Sequence, residues 1–425
     1  MTGARFWCFL HKMKTVITVS APREETRRQD RPHGGRNRGP LGRAHRIHIG
    51  EDDMKVLVVG AGIAGLSAAI ALQQKGMRCT VIDRGIAPLG ANIGLHSQVL
   101  RAIDSLGILD AAIAAGVTSD ILPFAATLDE AGTFWKYQTR HPAELSHLPP
   151  SLSISRPKLT RLMMDRAEAL GAVIADGISL TALEQTDEDV TVELSNGEAR
   201  HYDFVVGADG VNSAVRTQLF GETYMPQDPE LAIIRWMFHC REAITPGLWH
   251  SSKGDGITVV PTSDNTTYIA STFDSPPGHL ASDADGIAAL RDSFSHYDTE
   301  TFRVLERHLD DDASVIVRNF KTVMVDRPWH VGRVVLIGDA AHTVLSHLAY
   351  GGALAVEDAV VLADELSQNR PLDASLSAFF DRRWPRVKAV GDFCQQIATR
   401  QKQWAPAQEL IAIRHAAVDV VYQGY

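Results

Sequence analysis

MKVLVVGAGIAGLSAAIALQQKGMRCTVIDRG, from Met54 to Gly85, decides the fold. An apolar strand (Val56 to Val59) runs into Gly60, Gly62 and Gly65, then into an Ala/Leu-rich helix, and a second strand ends in Asp83. Gly60 permits the tight turn, Gly62 lets the backbone approach a pyrophosphate, and Gly65 lets the helix pack closely on the strand, with Ala64 in the same turn. The helix N-terminus offers free N–H groups and a positive dipole end to phosphates. Asp83, about twenty residues on, is placed to accept hydrogen bonds from a ribose. Strand, helix, second strand and acid in this order predict an α/β, Rossmann-type domain for an ADP-containing dinucleotide.

Two later segments say which dinucleotide. YDFVVGADGVNSAVR (Tyr202 to Arg216) resembles the Asp-Gly motif of flavin-dependent aromatic hydroxylases, and RVVLIGDAAHTVLSHLAYGGALAVEDAVVLADEL (Arg333 to Leu366) resembles the Gly-Asp motif of the same family. Between the first motif and these, SISRPKLTRLMMDRA (Ser153 to Ala167) is similar to the family's arginine-containing segment. The resemblance covers Met54 to about Arg400, with the motifs in the family's order. The family is that of the single-component, para-hydroxybenzoate hydroxylase-like FAD monooxygenases, including the salicylate and 6-hydroxynicotinate hydroxylase branches.

The resemblance implies that Gly60, Gly62, Gly65 and Asp83 hold the ADP half of FAD, with Arg84 near the adenine. It implies that Arg156 reaches the pyrophosphate and ribityl region and that Gly338 and Asp339 meet the ribityl chain. Asp209 and Gly210 would brace the FAD loop and shape the site of the reducing nucleotide, NADH or NADPH. On the residues alone, Asp209 also reads as a turn residue satisfying its own backbone. Gly351 and Gly352 would open a helix whose N-terminus points at the pyrimidine end of the flavin and favours negative charge there. The implied reaction is hydroxylation of a small aromatic or N-heteroaromatic compound with molecular oxygen, through a flavin hydroperoxide.

The sequence departs from the family pattern in the loop after the Gly-Asp motif. Thr343 and Ser346 stand where prolines are usual, and Tyr350 where glutamine is usual. Ser346, His347 and Tyr350 therefore add polar groups beside the reactive edge of the flavin, and His347 and Tyr350 are the candidates for touching substrate or relaying its proton. The competing reading is that both only pack against the residues that line the site. His342 reads as a residue that fixes the turn. Arg235 is a candidate for binding a substrate carboxylate, and strand alternation puts it and Trp236 on opposite faces. His96 is a further candidate for lining the substrate site.

Beyond residues 54–120, 150–220 and 325–370, assigned to a discontinuous FAD-binding domain, residues 121–149 and 221–324 are assigned to a substrate domain. LAIIRWMFHC, GITVVP and TTYIASTF read as its strands, short and β-branched or aromatic, forming an antiparallel sheet. A helical pair is expected within Gly286 to His308. Ser97 to Leu106 has helical apolar spacing, and Asn196-Gly197 predicts a hairpin. Residues 371–425 read as two long C-terminal helices broken near Ala405-Pro406. The resemblance implies a homodimer through them.

With 425 residues, 45% hydrophobic and 22% charged, the composition is that of a soluble globular chain. No apolar run reaches the length of a membrane span. Cys8, Cys79, Cys240 and Cys394 lie far apart without metal-ligand spacing, which points to reduced thiols in a cytoplasmic enzyme and no metal. The net charge of -9 is uneven: residues 1–53 carry eleven Lys/Arg against six Asp/Glu. That Arg/Gly/Pro-rich stretch is expected to be disordered, with Met54 as the functional start. A nucleic-acid tail is disfavoured by the lack of interleaved aromatics. The remaining alternatives are a same-fold flavoprotein performing epoxidation, oxidative decarboxylation or dehydrogenation, and a flavin-bound redox sensor.

Overall fold

Four strands of near-continuous valine, isoleucine and leucine are buried on both faces, which a parallel sheet covered by helices requires. In the computed structural model they lie in the order Val334–Leu336, Phe204–Gly207, Lys55–Val59, Arg78–Asp83, extended by Val173–Asp176 at one edge and by the antiparallel His330–Val331 at the other. The structure describes residues 54–86, 92–119, 143–251, 253–262, 265–310 and 313–425, with the backbone of two short strands, Ala126–Leu128 and Phe134–Lys136. The basic stretch 1–53, and most of the span 121–149, lie outside the described residues.

Register is what brings the motifs together. Val59 pairs with both Ile82 and Gly207, and Gly207 pairs with Leu336. The strands are parallel, so their C-terminal ends form one row, and Gly60, Asp83, Asp209 and Asp339 all emerge along that edge. Ligands of open parallel sheets bind at this edge. The helices Ile63–Gln74 and Gly351–Leu366 pack on each other over the sheet, with Arg156–Ala169 beside the first.

The second sheet is antiparallel and five-stranded: Gly247–His250, Gly256–Thr262, Thr266–Asp274, Leu231–His239, Val315–Asn319. The three expected strands are present; Gly247–His250 and Val315–Asn319 extend them. Ile234, Trp236, Ile257 and Ile269 face the helices Asp283–Phe294 and Glu300–His308 and form a core of their own. Helix Asp283–Phe294 starts with a capping box, Ser282 and Asp285 exchanging side-chain and backbone bonds.

The helix at Ser97–Ser105 and the hairpin turn at Gly197, φ +83°, form as expected. So do the C-terminal helices, Leu372–Lys402 and Ala407–Val421. Cys79, Cys240 and Cys394 are free and buried, and burial pushes the Cys79 and Cys394 thiols up to about 12. Among the described residues no helix is long and apolar enough to cross a membrane.

Candidate active site

Sterics fix the first motif. Gly60 has φ +109°, and a Cβ there would stand 2.4 Å from the carbonyl oxygen of Ala208. A Cβ on Gly65 would stand 1.8 Å from Gly60 O. Gly62 differs: nothing lies within 4 Å of its Cβ position, and as N-cap of Ile63–Gln74 it leaves the helix end without a side-chain cap. That open ground over free N–H groups suits a pyrophosphate. The carboxylate of Asp83 accepts the N–H groups of Ala61 (2.7 Å) and Gly85 (2.9 Å), which sets it at the strand end, while Arg84 is exposed beside it.

The second motif braces the first. Asp209 accepts from Ser213 Oγ and from the N–H groups of Ala214 and Val215, so its carboxylate caps the helix Ala214–Phe220. This agrees with the turn-residue reading of Asp209 and leaves its effect on a cofactor indirect. Arg216, which the sequence reading had not singled out, is buried and donates to Ala340 O (2.9 Å) and Val211 O (2.7 Å). It ties the Asp-Gly loop to the Gly-Asp loop.

At the third motif Gly338 has φ +57°, and a Cβ there would meet Ala64 Cβ at 2.8 Å. Asp339 and Arg156 both keep accessible surface although protein surrounds them closely, the condition of residues lining a deep cleft. Burial raises the Asp339 carboxyl, opposed by His342 and Arg156. Burial lowers the Arg156 guanidinium; Asp339 opposes the shift, Arg235 adds to it and Tyr268 opposes it. Arg156 therefore lies near Asp339 on one side and near Arg235 and Tyr268 on the other. Arg235 and Tyr268 hang from the second sheet, with the Tyr268 hydroxyl against the Arg235 guanidinium. Pairing of Arg235 with Ala270 and of Met237 with Tyr268 puts both on the face opposite Trp236, as alternation predicts.

The helix Gly351–Leu366 begins with no side-chain cap and no acid in its first turn. A Cβ on Gly352 would stand 2.8 Å from Ile93 Cδ1, the tip of a side chain that can move aside.

Tyr350 is enclosed by protein. Its hydroxyl donates to Glu357 (2.9 Å) and accepts from Arg386 (2.9 Å), fully buried in a cluster that also holds His342, Asp358 and Arg383. Burial, and then Glu357, raise its pKa well above the usual tyrosine value. A phenol so held fits the packing reading of Tyr350. Burial alone would raise Asp358, but His342 and Arg383 hold it at about 2. His342 fixes the turn, as expected.

His96 is likewise behind the loop. Its ring stacks on Tyr350 (6.1 Å between centroids, 8° between planes), and burial lowers it to about 4, against a contact with the Leu348 backbone. His347 turns the other way. Its carbonyl accepts from Arg414 Nη1, and its ring, lowered to about 3 by burial and then by Arg414, faces Gln401 and His250. Ser346 is half-buried and its carbonyl accepts the Ala349 N–H at 2.8 Å. The loop thus divides the polar residues: Tyr350 and His96 on one side, His347 on the other.

Cys240, Glu242 and His308 bring ligand-type atoms within 4.8 Å of one another, beside an open hollow of about 560 Å³ at the far end of the Leu231–His239 strand. The Glu242 carboxylate there already accepts from Arg307 and His308.

The family model described as FAD binding domain matches residues 53–393. The chain belongs to that family. It is an FAD-dependent monooxygenase of the single-component aromatic hydroxylase type. It is 30% identical over 375 residues to an FAD-dependent urate hydroxylase of Klebsiella pneumoniae, covering 79% of this chain and 87% of that one. It is 30% identical over 355 residues to the aurachin C monooxygenase/isomerase of Stigmatella aurantiaca, covering 80% and 87%. Klebsiella pneumoniae HpxO complexed with FAD and uric acid superposes with a TM-score of 0.73 at 25% identity, covering 87% of this flavoprotein and 97% of HpxO. The residues along the sheet edge fit FAD: open ground at Gly62, an acid at each of two strand ends and an arginine in the cleft.

Proposed function

We propose that this protein is an NAD(P)H-dependent monooxygenase that hydroxylates a small aromatic or N-heteroaromatic substrate. The observation that carries the reading is the approach of Arg235 and Tyr268, on the second sheet, to Arg156, which itself neighbours Asp339 at the cofactor edge. FAD, when bound, supplies the redox chemistry, taking electrons from NAD(P)H and activating dioxygen for transfer to the ring. The balance is substrate, O₂, NAD(P)H and a proton giving hydroxylated substrate, water and NAD(P)⁺.

The chain's part is to hold and to exclude. Gly60, Gly62, Ala64, Gly65, Asp83 and Arg84 take the ADP half. Arg156, Gly338 and Asp339 take the ribityl side, and the N-terminus at Gly351 and Gly352 favours negative charge on the ring. Asp209 and Arg216 keep the two loops in register. Arg235, with Tyr268 against it, orients substrate; its planar guanidinium suits a carboxylate or an enolate oxygen. The second sheet and the C-terminal helices close the cleft to water. The relative that bears the name urate hydroxylase and the neighbour holding uric acid support a heteroaromatic ring as substrate.

Stopped-flow reduction of the FAD protein by NADPH and NADH, against a panel of hydroxylated aromatics, pyridines and purines, tests the reading. A compound that accelerates reduction and yields an oxygenated product supports it. Reduction unaffected by every compound and ending only in peroxide sinks it.

A further inference from the structure

A second cluster of reactive side chains lies on the helix-covered face of the antiparallel sheet. Trp236 and Phe238 alternate onto that face, their rings stacked with 4.0 Å between centroids. His239 pairs with Thr266, and the Cys240 N–H donates to Asn265 O at 2.8 Å. The alternation thus continues one residue further and turns Cys240 the same way, its thiol buried. From the opposite side comes His308, the last residue of helix Glu300–His308, its ring 5.0 Å from that of Phe238. Glu242, two residues past Cys240, completes the group.

The spacing of these groups suits a metal ion. One ligand atom from each of Cys240, Glu242 and His308 lies within 4.8 Å of the other two. His308 Nε2 stands 3.2 Å from Glu242 Oε1. Tetrahedral zinc, with bonds of about 2.0–2.3 Å to nitrogen, oxygen and sulfur, holds its ligand atoms about 3.3–3.6 Å apart. The histidine and the glutamate already stand near that separation, and the sulfur has no more than about 1.5 Å to close. The two are 66 residues apart in the chain, which cysteine spacing cannot reveal.

Existing contacts leave each ligand atom open to an ion. Glu242 Oε2 accepts from Arg307, which also reaches Glu300 at 3.5 Å, so Oε1 is left for the ion. Against a carboxylate, which only accepts, His308 Nε2 carries its hydrogen. An ion takes the place of that hydrogen once the ring carries its proton on Nδ1 instead. The Cys240 thiol makes only a weak contact, 3.8 Å, to Glu242 O, and releases one proton to solvent as it binds. Thiolate and carboxylate together balance a divalent charge. The Glu242 and His308 side chains are 45% and 34% exposed and line the open hollow of about 560 Å³. The hollow gives the ion a way in and leaves room for a water as fourth ligand.

We propose that Cys240, Glu242 and His308 bind one divalent ion of the zinc type, with water in the fourth position. Sulfur and imidazole nitrogen select zinc over magnesium or calcium, which prefer ligand sets made of oxygen. The ion clamps the end of strand Leu231–His239 to the end of helix Glu300–His308. Arg235 lies on the other face of the sheet, so the site is separate from the cofactor edge and does not rest on the function proposed above.

The test uses the FAD-loaded full chain without a histidine tag, treated with a chelator, desalted and titrated with Co²⁺. Tetrahedral cobalt absorbs in the red, clear of the flavin bands, and Zn²⁺ added afterwards bleaches the signal. One equivalent is expected, with zinc held more tightly than about 1 μM in competition with a chromophoric chelator. Cys240→Ser and His308→Gln each weaken binding by at least about hundredfold, since even the outer partners of metal ligands are worth about 10–100-fold. His239→Gln, which changes the other histidine lining the hollow, leaves binding unchanged. Far-UV circular dichroism and FAD content establish that each variant is folded, and His308→Gln, on the exposed rim, carries the test should Cys240→Ser fail to fold. A six-coordinate cobalt spectrum, zinc held more weakly than about 1 μM, full affinity in a folded ligand variant, or an equal loss in His239→Gln overturns the site.

Discussion

Gly338 donates its backbone N–H to the carboxylate of Asp358 at 2.9 Å, so the turn that presents Asp339 to the cleft is tied to the helix that follows it. The same carboxylate holds His342 at 2.6 Å and Arg383 at 2.7 Å with both partners buried. Replacing Asp358 by Asn keeps the shape and removes the charge. Breaking a buried ion pair in this way costs about 3–5 kcal/mol. Urea unfolding and FAD retention on a desalting column are the measurements; a loss under about 1 kcal/mol with FAD retained counts against the tie.

Gly62 and Gly65 separate folding from cofactor binding. Gly62→Ala puts a methyl into open space, so the apoprotein keeps its stability within about 0.5 kcal/mol. The same methyl stands where a pyrophosphate must approach, and FAD binds at least about tenfold more weakly. Gly65→Ala drives a methyl into Gly60 O and destabilises the apoprotein by about 3 kcal/mol or more. Equal apoprotein melting for the two variants would falsify this division.

Tyr350→Phe distinguishes packing from chemistry. The hydroxyl bridges Glu357 and Arg386 out of reach of solvent. Its removal costs about 1–3 kcal/mol of stability, since buried partners are left short of a bond. Turnover and the ratio of product to NAD(P)H consumed stay within about twofold. A tenfold fall in either, in a variant that still binds FAD, would return Tyr350 to the reaction.

Acid should unfold this protein early. His96, His250 and His347 are lowered by burial to about 4, 3 and 3 from an ordinary 6.5. Below pH 6.5 the unfolded chain binds a proton on each ring and the folded chain does not. Stability is therefore full above pH 6.5 and is lost as pH falls toward the folded values. Each ring contributes a slope of about 1.4 kcal/mol per pH unit in that window. Urea midpoints at pH 6.5, 5.5 and 4.5 give the slope, and His250→Gln lowers it by one ring's share. Midpoints independent of pH over this range contradict the burial of these groups.

Ala349 sits at φ +49°, in the left-handed region that glycine occupies freely. The conformation costs alanine about 1 kcal/mol. Ala349→Gly is expected to raise stability by up to that amount with activity retained, measured by urea unfolding. A destabilised variant means that contacts of the Ala349 methyl outweigh the strain.

The cofactor edge was legible in the sequence because its residues answer to local sterics. Gly60 and Gly65 are glycines for want of room, and strand register alone then lines up Asp83, Asp209 and Asp339. The long helices at the C-terminus and the strand carrying Arg235 were legible for the same reason, a period visible within one element. The partners of Tyr350 sit elsewhere in the chain: Glu357 seven residues on, in the helix that Tyr350 precedes, and Arg386 on the next. That seven-residue spacing, with Arg383 and Arg386 three apart, was the available signal. His250 lies on a strand of four residues, too short to show alternation, and Gln401 and Arg414 reach it only through tertiary packing. Proximity of that kind leaves no mark on a single sequence.

The break between the two last helices has a consequence for how such an enzyme diversifies. The family pattern ends at residue 393, whereas Gln401 and Arg414, which flank His347, lie beyond it on either side of the Trp404–Pro406 corner. Residues beyond the shared pattern thus pack against a loop that lies within it. Drift in the final thirty-odd codons would reach His347 through its neighbours and leave the glycine-rich edge untouched.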